Sequence, residues 1–463
     1  VNNILQNKSS LIFLFSCAVL LLISTNYLFI PIAALFFVFC ILLIPVDKML
    51  PLIIVLLVAI PGDVGSLIRG GILIFSVTIL LIFIYQKRHL LKSYFELLDR
   101  KLLKLIALFL ASMFISTIFS QMIMQSLTEI IRQVSFLFIL VIFFFYIDSR
   151  KSILSVIYSL IIAGFLVSFS QIIQIVLYGG DFISLVLSGL GHFSGYYNNV
   201  SAIGGLLSVS IPLLFYYYKV SKRSNVRVLI LILLVIEIFG LFLTDSRGAF
   251  LSLSVSALCF LVINEPQKLK KILPIVLLFI VAIGSLLLTN ETFNLYFRTT
   301  RILENTRYLL WQIAFGVFAD SPILGIGPGM FTFYMYKYLP VMLGTWEERQ
   351  IDYIYTNSST GQTHNFLLMK ATELGTIGLI ISIALLGYIF VQTYSLIKMR
   401  INKKDDTYDI LVIIISIFCG LVARSFIEAT GLLTNGWISR DLPFWLLVAT
   451  VFRIKSSKNI FSH

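Results

Sequence analysis

Few residues in this chain are equipped for chemistry, and three stand out by type: Arg247, Arg307 and His364. A guanidinium presents a planar fork of N–H donors that suits phosphate or carboxylate. An imidazole, with an ordinary pKa near 6.5, suits proton transfer at neutral pH. Each sits in a polar cluster within an otherwise apolar chain. The first cluster, Gly191 to Asn199, contains His192, Gly195, Asn198 and Asn199, and the second is Thr244-Asp245-Ser246-Arg247-Gly248. The third has Arg298, Arg301 and Arg307, then Trp311, then Pro322 with Gly325, Gly327 and Gly329. The fourth is Thr363-His364-Asn365, leading into Glu373, Gly375 and Gly378.

Each residue also has a plainer reading. Asp245 or Ser246 can cap the next helix, which places Arg247 in a first turn. There the macrodipole disfavours a cation by about 0.5 kcal/mol unless an anion binds nearby; alternatively Arg247 snorkels to lipid phosphate. Arg307 heads a helix with Trp311 one turn on, and it reads either as an anion ligand or as a surface arginine on an aromatic. His364 reads as a general base or as a satisfied polar residue at an interface, with His192 a second candidate. His89 and His463 have no plausible partner. Arg424 and Glu428, four apart, read as a structural ion pair within one span, and Asp405-Asp406 as solvated charge. Gly325 to Gly329 reads as a turn, because no βαβ unit surrounds it. No HExxH, CxxC or GxSxG pattern occurs, and Cys17, Cys40, Cys259 and Cys419 lie in apolar runs without metal-ligand spacing.

The elements that must position these groups are membrane helices. Of 463 residues, 59% are apolar and 12% charged, with a mean hydropathy of +0.99; ordinary soluble domains are about half apolar and a quarter charged. Runs such as Ile72–Tyr85, Val228–Leu243 and Ile272–Leu288 approach the length a bilayer core requires. A cytosolic enzyme, a secreted enzyme and a nucleic-acid-binding domain are thereby excluded, and the net charge of +13 belongs to loops. The expected fold is an all-α polytopic bundle. Spans are expected at 10–26, 29–45, 49–61, 70–86, 104–120, 131–147, 152–178, 200–218, 228–244, 248–264, 272–288, 366–396, 409–430 and 438–453. These make fourteen, or twelve if short neighbours merge. With only Lys8 ahead of it and no cleavage site after it, the first apolar run reads as a helix rather than a removed signal.

Loops between these spans alternate in charge. One set holds 24 of the 35 Lys and Arg residues, so that side is cytoplasmic, with both termini there. All four polar clusters then fall on the extracytoplasmic side. So does the long loop 289–364, which divides the chain into an N-terminal bundle (1–288), the loop or lid (289–364) and C-terminal helices (365–463). Loops this long usually have a function.

Taken in order, the motifs resemble the O-antigen ligase and polymerase superfamily of bacterial envelope glycan enzymes. Gly195 with Asn198-Asn199 is similar to that family's glycine and Asn-Pro-Asn, here without the proline. Thr244-Asp245-Ser246-Arg247-Gly248 resembles its Ser-Arg-Gly segment. Arg307 with Trp311, Pro322, Gly325 and Gly327 is similar to its Arg-x-x-x-Trp and Pro-x-x-Gly-x-Gly run. His364-Asn365 with Glu373, Gly375 and Gly378 resembles its His-Asn and Glu-x-Gly-x-x-Gly ending. The resemblance covers about residues 190–385.

It implies a GT-C-like bundle in the bacterial inner membrane. Such enzymes transfer glycan from a polyprenyl-diphosphate carrier to a sugar, lipid A core or protein hydroxyl on the outer face. It implies catalytic roles for His364 as base and for Arg247 and Arg307 as diphosphate ligands. Asn199, Arg301, Trp311, Asn365 and Glu373 are the expected substrate contacts, with Glu373 orienting His364 or satisfying polar groups of the helices. Phe331, Tyr334, Tyr338 and Trp346 would form an apolar lid. No metal or cofactor is expected. The expected partners are the lipid-linked donor, the glycan or lipid A core acceptor, membrane lipid, and a chain-length regulator or other assembly proteins; nucleic acid is not one. The rival class is a lipid-linked oligosaccharide transporter or flippase, which should bind near the bilayer midplane in two related halves.

Overall fold

The computed structural model describes residues 45–60, 66–178, 193–197, 199–271, 274, 285, 306–338, 362–403 and 405–456. Its regular structure is helical, and no strand occurs among the described residues. The main helices are α1 (Val46–Ala59), α2 (Ser66–Gln86), α3 (Arg100–Ile118), α4 (Ile123–Tyr146), α5 (Arg150–Tyr178) and α6 (Val200–Val220). They continue with α7 (Ser224–Leu243), α8 (Arg247–Asn264), α9 (Thr306–Asp320), α10 (Phe366–Arg400), α11 (Asp406–Ser425) and α12 (Ile438–Ser456).

Eight of these, α3 to α8 with α10 and α11, are long and apolar enough to cross a membrane; α2 from Ile72 with Arg88–Glu96, bent by 64°, makes a ninth if counted as one span. The expected spans at 10–26, 29–45 and 272–288 fall outside the described residues, save for single positions. The one at 49–61 is α1, whose 14 residues reach only about 21 Å. The one at 438–453 is α12, which carries Arg440, Asp441 and Arg453. Helices from before and after the long loop share one hydrophobic core.

Small residues set the tightest packing. On α8 the buried positions are Gly248, Ala249, Ser252 and Ser256, a stripe at helical spacing. A Cβ on Gly420 of α11 would lie 2.1 Å from Ser256 Oγ and 2.3 Å from the Ser252 carbonyl oxygen. That close approach is how membrane helices gain packing without a hydrophobic drive between them. It fixes the first turn of α8 beside the end of α11.

Two expected spans are not simple helices. The helix predicted over 366–396 breaks at Gly375, where φ is 66° and ψ −170°. Pro322–Gly329 docks into the break: Ile326 N–H donates to Thr372 O (3.0 Å), Gly327 N–H to Glu373 O (3.0 Å), and Thr376 N–H to Pro322 O (2.8 Å). Backbone groups freed inside a membrane protein must find such partners. The fit needs glycine on both sides. A Cβ at Gly375 would lie 2.1 Å from Ile323 O, and one at Gly325 would lie 2.4 Å from the Glu373 carbonyl carbon.

The span predicted over 409–430 ends at Ser425, and an irregular segment, 426–437, buried from Glu428 to Gly436, follows it into the bundle. Side chains staple its backbone: Arg424 Nη1 donates to Thr430 O (2.7 Å), Trp445 Nε1 to Leu432 O (2.6 Å), and Thr434 N–H donates to Asp441 Oδ2 (2.6 Å).

The helix ends sort by charge. At one end Arg150 pairs with Asp406, Lys219 with Asp409 (3.0 Å), Arg400 with Asp405 (2.7 Å) and Lys455 with Asp99 (2.6 Å). Asp405 also caps α11 through Tyr408 N–H, so Asp405-Asp406 is a paired capping site rather than solvated charge. The other end carries the polar motifs.

Candidate active site

Four chain segments meet at the end of the bundle away from those basic loops. Asn199 caps α6, its Oδ1 accepting from Ala202 N–H at 2.9 Å. Asn365 caps α10, its Oδ1 accepting from Leu368 N–H at 3.0 Å, while its Nδ2 donates to Phe426 O at 3.0 Å. Both expected substrate contacts are thus also the residues that start their helices. His364, one step earlier, is held at φ 49°. Non-glycine residues in this region cost about 1–3 kcal/mol and persist where their surroundings fix them. Trp311 supplies part of that fixing, its Nε1 donating to Thr363 O at 2.9 Å.

Glu428 is the residue sequence reasoning missed. It lies three residues beyond α11, and its side chain is 2% exposed. Arg307 Nη2 donates to Oε1 at 2.5 Å, and His364 Nδ1 lies 3.1 Å from Oε2. Burial pushes this carboxyl up, but His364, Arg424 and Arg307 outweigh that and bring it down to about 2. The expected Arg424–Glu428 ion pair does not form: Arg424 instead spans Thr430 O and Ser201 O (2.6 Å). The only sequence clue to Glu428 was its acidity near the end of an apolar run, and its spacing from Arg424 pointed to the wrong partner.

An ionised carboxylate only accepts hydrogen bonds. Glu428 Oε2 therefore holds the proton of a neutral His364 on Nδ1, which leaves the lone pair on Nε2. His364, Glu428 and Asn199 line a cavity of about 400 Å³ together with Ser194, Ser201, Gln362, Thr430 and Arg440. The cavity is an imidazole acceptor site walled by hydroxyls, amides and a guanidinium.

Arg247 is the first residue of α8, as predicted, and it is exposed. Ser246 takes the cap position without a side-chain cap bond, and Asp245 is at φ 47°. The Arg247 side chain makes no hydrogen bond or ion pair with another described residue. Its neighbour Gly248 packs on the site, since a Cβ there would meet Glu428 Cγ at 3.2 Å. The first turn of α8 thus abuts the carboxylate that Arg307 and His364 share.

Three expected placements differ. Glu373 lies away from the cavity, 2% exposed, with Oε2 accepting from Asn435 Nδ2 at 3.0 Å. Asn435 Oδ1 accepts from the buried Lys370 at 2.8 Å. Glu373 therefore anchors the 426–437 segment, and Glu428 rather than Glu373 orients His364. Phe331 and Tyr334 are buried against Leu310, Ile313 and Val317 of α9, so they form the core of a small outer unit rather than a lid face. Arg301, Arg298, His192, Asn198 and Trp346 lie outside the described residues.

Residues 229–383 match the family model described as O-antigen ligase. That stretch is similar to an O-antigen ligase domain. It runs from α7 through the Arg247 turn, α9 and His364 to the middle of α10, so it includes all three expected catalytic residues. No curated protein matches the chain. The match supports, in general terms, a membrane glycosyltransferase activity of the O-antigen ligase and polymerase type. Asn199, Glu428 and Arg440 lie outside the matched stretch and meet it only through the fold.

Proposed function

We propose that the protein transfers a glycan from a polyprenyl-diphosphate carrier to an acceptor sugar hydroxyl at the extracytoplasmic face of a bacterial inner membrane. It acts as a surface-polysaccharide polymerase or ligase, with inversion and without a metal. The observation that carries this reading is the Glu428 carboxylate shared by Arg307 and His364. It brings His364 and Arg307, read here as base and diphosphate ligand, within one side chain of each other.

In the reaction, His364 Nε2 takes the proton of the acceptor hydroxyl as that oxygen attacks the anomeric carbon. The sugar–phosphate bond breaks on the opposite face, and the diphosphate leaves with the electron pair. Arg247 and Arg307 stabilise the charge that develops there. Glu428 stays ionised throughout and balances the imidazolium. Asn199 and Ser201 hold acceptor hydroxyls in the cavity. Arg301, Trp311 and Asn365 act around the donor, Trp311 by fixing Thr363 and Asn365 by fixing the start of α10. The orientation is supported by the Arg150, Lys219, Arg400 and Lys455 pairs at the far end, as the positive-inside rule requires.

The test is reconstitution. Full-length protein in liposomes with undecaprenyl-diphosphate-linked repeat units should give longer glycans, with Arg247→Ala, Arg307→Ala and His364→Ala proteins inactive. Lipid crossing the bilayer without glycan growth would replace this reading with a transporter.

A further inference from the structure

Behind the wall of the His364 cavity lies a buried cation, Arg424, in the last turn of α11 and 1% exposed. Replacing a buried charge with apolar side chains is often neutral or stabilising, so stability alone gives no reason for a guanidinium at this depth. Three glycines from three parts of the chain make room for it. A Cβ on Gly205 of α6 would lie 3.1 Å from Nη1, one on Gly431 3.3 Å from Nη1, and one on Gly248 of α8 3.4 Å from Cγ.

What the guanidinium holds is the cavity. Nη1 donates to Thr430 O at 2.7 Å and Nη2 to Ser201 O at 2.6 Å. Ser201 lies in the first turn of α6 and Thr430 in the 426–437 segment, and both line the cavity beside His364. The planar fork therefore sets the spacing of two walls that come from distant parts of the chain. Nη2 also donates to Ser201 Oγ at 3.2 Å and to Thr430 Oγ1 at 3.3 Å. A guanidinium has no acceptor, so each hydroxyl accepts from it and keeps its own hydrogen. Neither hydroxyl donates to another described residue. Both are thus set as donors for a ligand in the cavity, where His364 Nε2 is an acceptor. That combination suits a sugar: Nε2 accepts from the hydroxyl that reacts, and the two donors meet other oxygens of the same molecule.

We propose that Arg424 is a positioning residue of the acceptor subsite, fixing Ser201 and Thr430 as paired hydrogen-bond donors to the acceptor glycan, with Thr430 a direct contact. The inference rests on the transferase reading, in which this cavity takes the acceptor while Arg247 and Arg307 hold the donor diphosphate. Arg424, Ser201 and Thr430 all lie outside the matched stretch, 229–383, so acceptor recognition falls to parts of the chain other than those that match the family model.

Calorimetric titration of the full-length protein with a soluble oligosaccharide of the repeat unit tests this, beside titration with the undecaprenyl-diphosphate-linked donor. Thr430→Val should weaken oligosaccharide binding about fivefold, the loss of one neutral hydrogen bond, with Thr430→Ser restoring it. Arg424→Gln should weaken it by more than about tenfold, because bonds to a charged group are lost. In that background Thr430→Val should have little further effect. Arg424→Lys keeps the charge, but an ammonium lacks the fork that spans both walls, so it should resemble Arg424→Gln. Donor affinity should be unchanged throughout. No oligosaccharide binding by the wild type, or wild-type affinity in Thr430→Val or in a folded Arg424 variant, would overturn the inference. So would equal losses of donor and oligosaccharide affinity, or a full effect of Thr430→Val in the Arg424→Gln background. Should neither Arg424 variant fold, the Thr430→Val and Thr430→Ser pair decides. The predicted binding pattern in a wild-type protein that never extends the oligosaccharide would count against the transferase reading and for the subsite.

Discussion

His364 Nδ1 and Glu428 Oε2 lie 3.1 Å apart although 64 residues separate them in the chain, and the other oxygen of the same carboxylate is taken by Arg307. A buried acid bound on both oxygens by cationic or donor groups does two jobs. It fixes the imidazole tautomer, and in the proposed reaction it holds the guanidinium where a leaving group would meet it. Outer partners of this sort commonly change activity by about 10–100-fold when lost.

Glu428→Gln keeps the shape and removes the charge. The amide can present either an acceptor or a donor to Nδ1, so the tautomer is no longer fixed. The expected result is a kcat about 100-fold lower with the protein still folded, and partial activity in Glu428→Asp. Transfer rates and thermal melts of the purified variants check this.

The two arginines should separate in stability. Arg307→Ala leaves Glu428 with His364 alone. Loss of a partner from a buried pair costs about 3–5 kcal/mol, reduced here to about 1–2 kcal/mol because the Arg307 side chain is 33% exposed. Arg247→Ala removes an exposed residue and should leave the melting temperature unchanged. Both should weaken donor binding, and Arg307→Lys should not restore it, since an ammonium lacks the planar fork. Melting curves and donor titrations give the two readouts.

The pH dependence follows from the lowered Glu428 carboxyl, about 2 in the folded protein against an ordinary 4.5. A depressed carboxyl stabilises the fold fully above its unfolded pKa and loses that contribution as pH falls through the folded one. The gap in melting temperature between wild type and Glu428→Gln should therefore be flat from pH 7 to about 5. It should shrink below about 4.5 and close near 2. An acid limb of activity above pH 4 would belong to a group other than Glu428.

Glycines in α10 should differ sharply. Gly375→Ala needs φ 66° and a Cβ 2.1 Å from Ile323 O, whereas a Cβ on Gly387 meets nothing within 4 Å. Gly375→Ala should lower both stability and activity, since the broken helix begins two residues after His364. Gly387→Ala should be neutral, or stabilising by about 1 kcal/mol from helix propensity. Expression, melting temperature and transfer rate of the two variants decide this.

The sequence read most directly where local rules dominate. Apolar runs located the spans now described from α3 to α8, and Arg247 stands in the first helical turn, where it was expected. Arg307 and His364 were singled out by residue type, cluster position and family resemblance, and the fold brings their side chains to one carboxylate. What the sequence hid were contacts between distant segments. Glu428 looked like part of a helix with Arg424 because spacing is the only information a sequence carries there. The 426–437 segment escaped because its aliphatic residues resemble a helix end, while the groups that satisfy its backbone, such as Trp445 and Asp441, come from later in the chain. Glu373 was drawn towards His364 by nearness in sequence, although two turns of helix carry it down to Asn435.

The central claim is that His364 Nε2, set by Glu428, removes the acceptor proton. Single-turnover transfer by wild-type and His364→Ala proteins, with donor binding measured separately and a chelator present, tests it most directly. The account predicts equal donor affinity, a wild-type rate unaffected by the chelator, and a His364→Ala rate lower by about 10³-fold. A His364→Ala rate within threefold of wild type would contradict it.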